Sequence, residues 1–485
     1  MAWTRAAAPP PLILFEVLEL PWLVLQLYAK DHPESHLAKL LGNAVCAHVT
    51  TEPPKDELRF WVTSTTLHRG VPERVHGLEF INQTDPMEHP PIWVALARQG
   101  RSIGVFGASY SHAWKDAVPE QTAFYVPDKF APDNWASPAR AVAYQKMLRL
   151  LSRLTDQGHG KTNARLRGSL AILHFLLSKL VQLHLGAIRY LTRGWKLRIL
   201  ESPRAFVSAR LAFYEFVTLW KAFKPDFSLF ATGALATAMH KGISPYLRAL
   251  SRDRSAPATP MCLALDELNA EVGMLLEMAA RDRATLVVAS GYGQAQAPEH
   301  DAEPEFQRFW LLHNPTALTQ WLGLQGRVTA LPAMLPCATL WFRTDADRDS
   351  AIEQLSQLRN LGDDTPLFHV ETGVRCISLK ATPDHASVRD EHVLHRNADG
   401  SVRKLPIRAL GLVKHSRRTL TGEHSPGGVL LVHQHGGTGA TWVPDIAVSA
   451  IAPTLMQALG ADVPPGMQPV CTALFEQMGC RNIPP

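Results

Sequence analysis

Thr285-Leu286-Val287-Val288-Ala289-Ser290-Gly291-Tyr292-Gly293-Gln294 is the stretch whose reading decides the fold. An apolar run with no polar alternation is what a strand covered on both faces looks like, and such strands belong to parallel sheets. It stops abruptly in small residues, as a strand does when it hands its loop to the ligand-binding edge of an open α/β sheet. The expected architecture is therefore α/β, a mostly parallel central sheet flanked by helices, with a helical cap inserted in it.

Working outward, Leu12 to Val17 is a candidate first strand, followed by helical stretches through Leu27 and Leu41. Pro91 to Gly100 is a helix closed by glycine, and Ser102 to Phe106 is the next strand. Phe124 to Ala131 is expected to be an exposed loop presenting aromatic side chains, and Gly107 to Ser111 a loop lacking the second glycine of a nucleophile elbow. Pro225 to Phe230 is a further core strand. Asp266 to Leu276 is a helix whose carboxylates are expected to lie on a solvated face. In the segment 301–414, Thr339 to Phe342 and Phe368 to Val370 are expected strands, with Asp345 to Leu358 a helix between them.

The chain has 485 residues, 46% apolar and 19% charged, a globular rather than a disordered composition. A net charge of +5 does not point to nucleic acid. From Arg140 to Lys221, fifteen Lys or Arg face only Asp156, Glu201 and Glu215, with leucines at near-helical spacing. This is a basic helical cap, packed on the sheet or offered to an anionic partner. Gly158-His159-Gly160-Lys161-Thr162 lacks the first glycine and the preceding strand of a phosphate loop. The six cysteines form no Cys-x-x-Cys pair, so no structural zinc or redox motif is signalled. The apolar run Pro11 to Ala29 contains Glu16, Glu19 and Pro21, which argues against a membrane span or signal segment and for a cytoplasmic protein. The expected division is 1–139, the cap 140–221, 222–300, an α/β excursion 301–414, and a closing part 415–485.

Several segments then resemble, in order, the alkaline phosphatase superfamily, and within it the type I phosphodiesterases. Trp61-Val62-Thr63-Ser64 followed by Gly70, Pro72 and His76-Gly77 resembles their nucleophile segment. Pro91 to Val105 resembles their next helix and strand. Thr421-Gly422-Glu423-His424 resembles the segment supplying the last metal histidine. Asp445-Ile446-Ala447 and Ile451 to Pro464 resemble their closing signature. The resemblance implies an alkaline-phosphatase-like fold and a two-metal site. Position by position, however, it places Leu18, Val62, Ala236, Gly291 and Tyr292 where metal ligands and the nucleophile stand. His240 and His424 remain. Glu19 is the nearest carboxylate at the first strand, and the pattern does not put it in the ligand position.

Two imidazoles without a carboxylate imply at most one weakly held divalent metal such as zinc, on His240 and His424. Three readings stay open. The first is a divergent hydrolase or transferase acting on a phosphate, sulfate or acyl ester of a small molecule, with His240, His424, Tyr292 and Thr63 as acid, base, donor and nucleophile. The hydroxyls of 63–66 are alternatively helix caps. The second is a non-catalytic scaffold on the same fold. The third, a conventional two-metal phosphodiesterase, needs Glu16, Glu19 and Asp85 to converge. His433, His435 and the following glycines are a turn that offers a further anion contact. The substitutions predict that the protein does not retain two equivalents of zinc or manganese through dialysis, and elemental analysis showing two would restore the third reading.

Overall fold

The computed structural model describes residues 9–53, 57–118, 121–156, 170, 172–173, 175, 203–250, 259–297, 306–397, 399–418, 420–437 and 439–478. Its first strands are β1 (Leu12–Val17), β2 (Val45–Thr50), β3 (Ile103–Phe106), β4 (Thr122–Val126), β5 (Phe227–Thr232) and β6 (Thr285–Ser290). Next come β7 (Gly293–Gln296), β8 (Phe306–Leu312), β9 (Val328–Leu331), β10 (Ala338–Phe342), β11 (Leu358–Arg359), β12 (Phe368–Gly373) and β13 (Cys376–Ala381). The remainder are β14 (His392–Arg396), β15 (Val402–Pro406), β16 (Leu412–Arg418), β17 (Gly422–Ser425), β18 (Gly428–His433), β19 (Thr441–Trp442) and β20 (Ile446–Ala447).

The central sheet runs β19-β2-β18-β6-β1-β5-β3-β4, with β20 also paired to β2. β1 lies between β5 and β6, parallel to both, so that Leu14 sits opposite Leu229 and Val287. β18 is antiparallel to its neighbours β2 and β6. The fold is thus the expected mostly parallel α/β sheet flanked by helices.

Strand period explains the apolar runs. Ile13, Phe15 and Val17 of β1 enter one core with Leu286 and Val288, beneath the helices Trp22–Asp31, Pro203–Phe223, Ala234–Leu250 and Pro260–Asp282. Leu12 and Leu14 enter the other with Val287 and Ala289, beneath Phe60–Arg69, Ile92–Arg98 and Ile451–Ala458. Each fully buried Val, Leu, Ile or Phe contributes about 1.5–3 kcal/mol by transfer from water, so both faces must be covered.

Glu16 interrupts this pattern at 1% exposure. It is satisfied by the helix above it: Ser64 Oγ donates to Oε1 at 2.5 Å and His68 Nε2 lies 2.9 Å from Oε2. That helix, Phe60–Arg69, is preceded by Arg59, whose side chain makes no cap hydrogen bond. The hydroxyls expected as caps instead turn inward, Thr65 and Thr66 donating to the carbonyls of Trp61 and Val62.

Two further expectations are corrected. The supposed aromatic loop begins as β4, where Phe124, Tyr125 and Val126 are fully buried. The Pro260–Asp282 helix buries Glu267 and Glu271 instead of solvating them, because a second helix carrying Arg210 packs over that face and Arg210 pairs with Glu267. Within the expected cap, the helices Val142–Asp156 and Pro203–Phe223 pack on the first core through Tyr144, Met147, Phe216 and Trp220. The basic residues from Lys161 to Arg198, like Cys480 and the first eight residues, lie outside the described residues.

The segment between β6 and β18 forms a second unit on a stem of two antiparallel ladders, β7 with β17 and β8 with β16. It carries an antiparallel sheet, β12-β13-β10-β9, under the helix Asp345–Ser356, with its own core of Leu340, Phe342, Leu355, Ile377 and Leu379. The expected strands at 339–342 and 368–370 fall in β10 and β12. This unit is stapled to the sheet domain: Trp341 Nε1 donates to the Asn82 carbonyl at 2.6 Å and Thr339 Oγ1 to that of Ile81 at 2.8 Å. None of the described helices is long and apolar enough to cross a membrane.

Beneath the Phe60–Arg69 helix, His76 accepts from Leu78 N at Nδ1, 3.1 Å, and faces Thr66 Oγ1 with Nε2, 3.1 Å. Burial, reinforced by the Arg69 charge, pushes its pKa down to about 3. The unfolded chain, with an ordinary histidine near ~6.5, binds this proton first. Stability is therefore full above about pH 6.5 and falls as pH drops towards 3, with a slope of up to about 1.4 kcal/mol per pH unit from this residue. We expect His76→Gln to flatten the acid limb of a denaturant-unfolding pH series by that amount; an unchanged slope would contradict the buried neutral imidazole.

Candidate active site

The carboxyl ends of β1, β5 and β6 deliver the site. After β1 the chain turns through Leu18, whose N–H donates to Thr232 O at 3.0 Å, and reaches Glu19 in the left-handed region at φ 63°. A non-glycine residue held there carries backbone strain that the surroundings must over-determine. The Glu19 side chain is 4% exposed, and its Oε2 lies 3.2 Å from His240 Nε2 and 3.5 Å from His424 Nε2. His240 comes from the helix that follows β5, and His424 from β17 on the stem. Their rings meet edge to face at 5.2 Å between centroids.

This overturns the expectation of two imidazoles without a carboxylate. Glu19 is the third donor, and among the described residues it forms with His240 and His424 a set of ligand atoms all within 4.8 Å of one another. The resembling pattern does not put it in the ligand position. A buried carboxylate beside two histidines from other elements leaves no local sequence signal.

The other nitrogen of each ring fixes its protonation. His240 Nδ1 lies 3.2 Å from Gly422 O and His424 Nδ1 2.6 Å from Leu58 O. A carbonyl only accepts, so each Nδ1 carries a proton. In a neutral ring Nε2 is then a lone pair, and both lone pairs face a carboxylate oxygen. Something positive has to sit between them, either extra protons on the rings or a cation. Backbone carbonyls on Nδ1 are also how proteins orient histidines that ligate a metal through Nε2. Burial alone would raise the Glu19 carboxyl, but the two imidazoles override it and hold the group well below the usual carboxylate range. Burial opposes charging of His424, yet Glu19 and the Leu58 carbonyl outweigh it and raise its pKa.

Tyr292 and Thr63 are placed differently from the histidines. Tyr292 is 2% exposed, packs its ring edge to face on His424 at 5.2 Å, and is absent from the wall of the main cleft. Burial and the neighbouring Glu19 charge keep its phenol protonated, its pKa raised well above the ordinary value. Its hydroxyl lies beside the Glu19 carboxylate. Thr63 lines a separate small crevice with Thr51, Glu57 and Leu58. Ser64, the neighbouring hydroxyl, is committed to Glu16. Glu16 and Asp85 do not join Glu19 in a metal-binding set, since Glu16 holds Ser64 and His68 while Asp85 holds Arg69 and Trp114. His433 and His435 are not part of the cleft wall.

The cleft that exposes Glu19, His240 and His424 has a volume of about 1110 Å³ and runs between the sheet domain and the inserted unit. Its wall carries Lys129, Lys241 and Lys380, together with Arg59 paired to Glu57 and Glu371, and Phe60, Trp61, Phe80 and Phe368 bring aromatic surface. One cation fits the donor set. Of the positions where the resemblance implies metal ligands, Leu18, Ala236 and Gly291 carry side chains without donors. A Cβ at Gly291 would meet Thr63 Cγ2 at 2.3 Å.

No family model and no curated protein matches the chain. Among solved structures it is similar to murine ectonucleotide pyrophosphatase/phosphodiesterase 5, at 12% identity and a TM-score of 0.41, covering 97% of this chain and 99% of that one. An inactive variant of the murine protein in complex with AMP gives 12% identity and 0.42, over 96% and 99%. The human counterpart gives the same 12% and 0.42, over 96% and 99%. At this identity and TM-score the likeness carries no inference about activity.

Because the β-branched Thr63 is stiff on its helix, we expect Gly291→Asp to cost about 1–3 kcal/mol in denaturant midpoint without adding a metal equivalent. Adding Thr63→Ala should recover part of the loss. A fully stable Gly291→Asp protein would show the contact to be soft.

Proposed function

We propose that this protein is a hydrolase or group transferase that acts on a phosphate, sulfate or acyl ester of a small molecule held in the cleft against Glu19, His240 and His424. The observation supporting this most is the convergence of two Nε2 lone pairs and one carboxylate oxygen at the wall of a cleft large enough for substrate. Two histidines and a glutamate are a donor set that suits one zinc-class ion and leaves a position open. Such an ion, when bound, supplies Lewis acidity to an ester oxygen.

The chain's own residues account for the rest. Glu19 offsets one positive unit of a divalent ion, so the loaded site keeps a net positive charge that favours an anionic group. Lys241 and Lys380 act in the same direction across the cleft, whereas Arg59 is paired with Glu371 and Glu57 on the same wall. His424, 31% exposed and with its pKa raised, is the group best suited to move a proton at the cleft wall when no cation occupies the site. Thr63 and Tyr292 take no direct part in this reading, Tyr292 serving to pack the His424 ring. A cleft this open speaks for an enzyme over a scaffold, whose cleft would be filled.

With p-nitrophenyl phosphate, bis-p-nitrophenyl phosphate, p-nitrophenyl sulfate and p-nitrophenyl acetate as probes, we expect turnover of at least one. His240→Ala, His424→Ala and Glu19→Gln should each lower it by about 10²-fold or more with the fold intact by circular dichroism. Full activity in the double histidine variant would overturn the assignment. A second test is pH dependence. His424 is held protonated above the ordinary ~6.5, and the proton must leave before Nε2 can ligate, so zinc affinity should rise as pH rises through that region. Titration calorimetry showing equal affinity from about pH 5.5 to 8 would refute the ligand role of His424.

A further inference from the structure

We infer that Gln294 is a positioning residue for Glu19, fixing which carboxylate oxygen faces the two imidazoles and thereby setting how tightly the site takes a zinc-class ion. The inference rests on the proposed reading of that site as a cation-assisted centre.

Gln294 is 2% exposed and stands in β7 directly opposite His424 in β17. Its two amide hydrogens are both committed. Nε2 donates to Glu19 Oε2 in a short contact, and to the carbonyl of Ala236, 3.1 Å away, on the helix that also bears His240. One side chain thus ties together the three elements that supply the ligands: the turn after β1, the helix after β5, and the stem. The amide orientation is decided by its neighbours. Reversed, its oxygen would point at a carboxylate and a carbonyl, two acceptors with no hydrogen between them. In the observed orientation Oε1 has no partner and lies against the backbone of Gly422, where a Cβ would meet it at 2.5 Å. A buried unpartnered acceptor is destabilising. That cost is tolerated here because the donor side holds a buried charge.

Glu19 needs such a constraint. Its backbone is in the left-handed region, and its flexible side chain must be held for Oε2 to stay 3.2 Å from His240 Nε2 and 3.5 Å from His424 Nε2. Both imidazoles approach the same oxygen that Gln294 holds. Outer partners of metal ligands typically change affinity by about 10–100-fold when removed.

The test uses the full-length protein and Co²⁺, whose visible spectrum reports coordination, with Zn²⁺ competition for affinity. Wild type should bind one equivalent. Gln294→Met, similar in size but without donors, should bind about 10–100-fold more weakly and show an altered cobalt band. Ser244→Ala is the structural control: it removes a 2.9 Å hydrogen bond to the Thr421 carbonyl near the same junction without touching Glu19, and should leave cobalt affinity within about twofold. Wild-type affinity and spectrum in Gln294→Met, or an equal loss in Ser244→Ala, would overturn the positioning role while leaving the cation-assisted reading in place. A wild-type protein that binds no cobalt would remove both. A second measurement needs no variant: in ¹⁵N spectra the Gln294 side-chain amide should shift on zinc addition in the wild-type protein, and an amide indifferent to zinc would also count against the role.

Discussion

A single buried carboxylate sets the terms for this candidate site. Glu19 is nearly buried at the cleft wall, on a backbone conformation that a glutamate adopts only under constraint, and an ion so placed is costly unless nitrogen donors surround it. His240, His424 and Gln294 are those donors, and each arrives on a different element. The sheet supplies the first two elements by its ordinary connectivity, because the turn after β1 and the helix after β5 both emerge at the carboxyl edge. The third depends on the long insertion returning to pair β17 against β7 in one register, since a one-residue slip would carry His424 to the opposite face.

Glu16, three residues earlier, shows how differently the same side chain is used. It points into the opposite core, is bonded by a serine and a histidine, and anchors a helix instead of facing a cleft. Ser64, Glu16 and His68 would read as catalytic types from composition alone. Their burial below 5% exposure and their mutual hydrogen bonds make them a structural brace.

Much of the fold was legible because its signals are local and periodic. The apolar runs 12–17 and 285–290 are strands, side by side, and the helix closed by glycine near residue 100 lies where its pattern put it. The aromatic run after residue 122 misled for a physical reason: a strand buried on both faces looks, over five residues, like a sticky loop. The pair His240 and His424 was legible through family resemblance and does lie together. Glu19 and Gln294 were not, because their roles come from a left-handed turn and from a strand pairing across 130 residues of chain, neither of which leaves a spacing to read. The absence of an aspartate at Gly291 was visible, but the close approach of the Thr63 methyl group to that position was not.

The stem also dictates when the candidate site can assemble. Glu19 and His240 are made early, but His424 follows the whole inserted unit, which has a core of its own. During synthesis the nascent chain therefore holds a buried-to-be carboxylate and one imidazole for as long as the ribosome takes to add that unit, with the second imidazole not yet made. Closing so distant a pairing is slow relative to local folding. Bringing Glu19, His240 and His424 together is consequently a late event, gated by the pairing of β17 with β7.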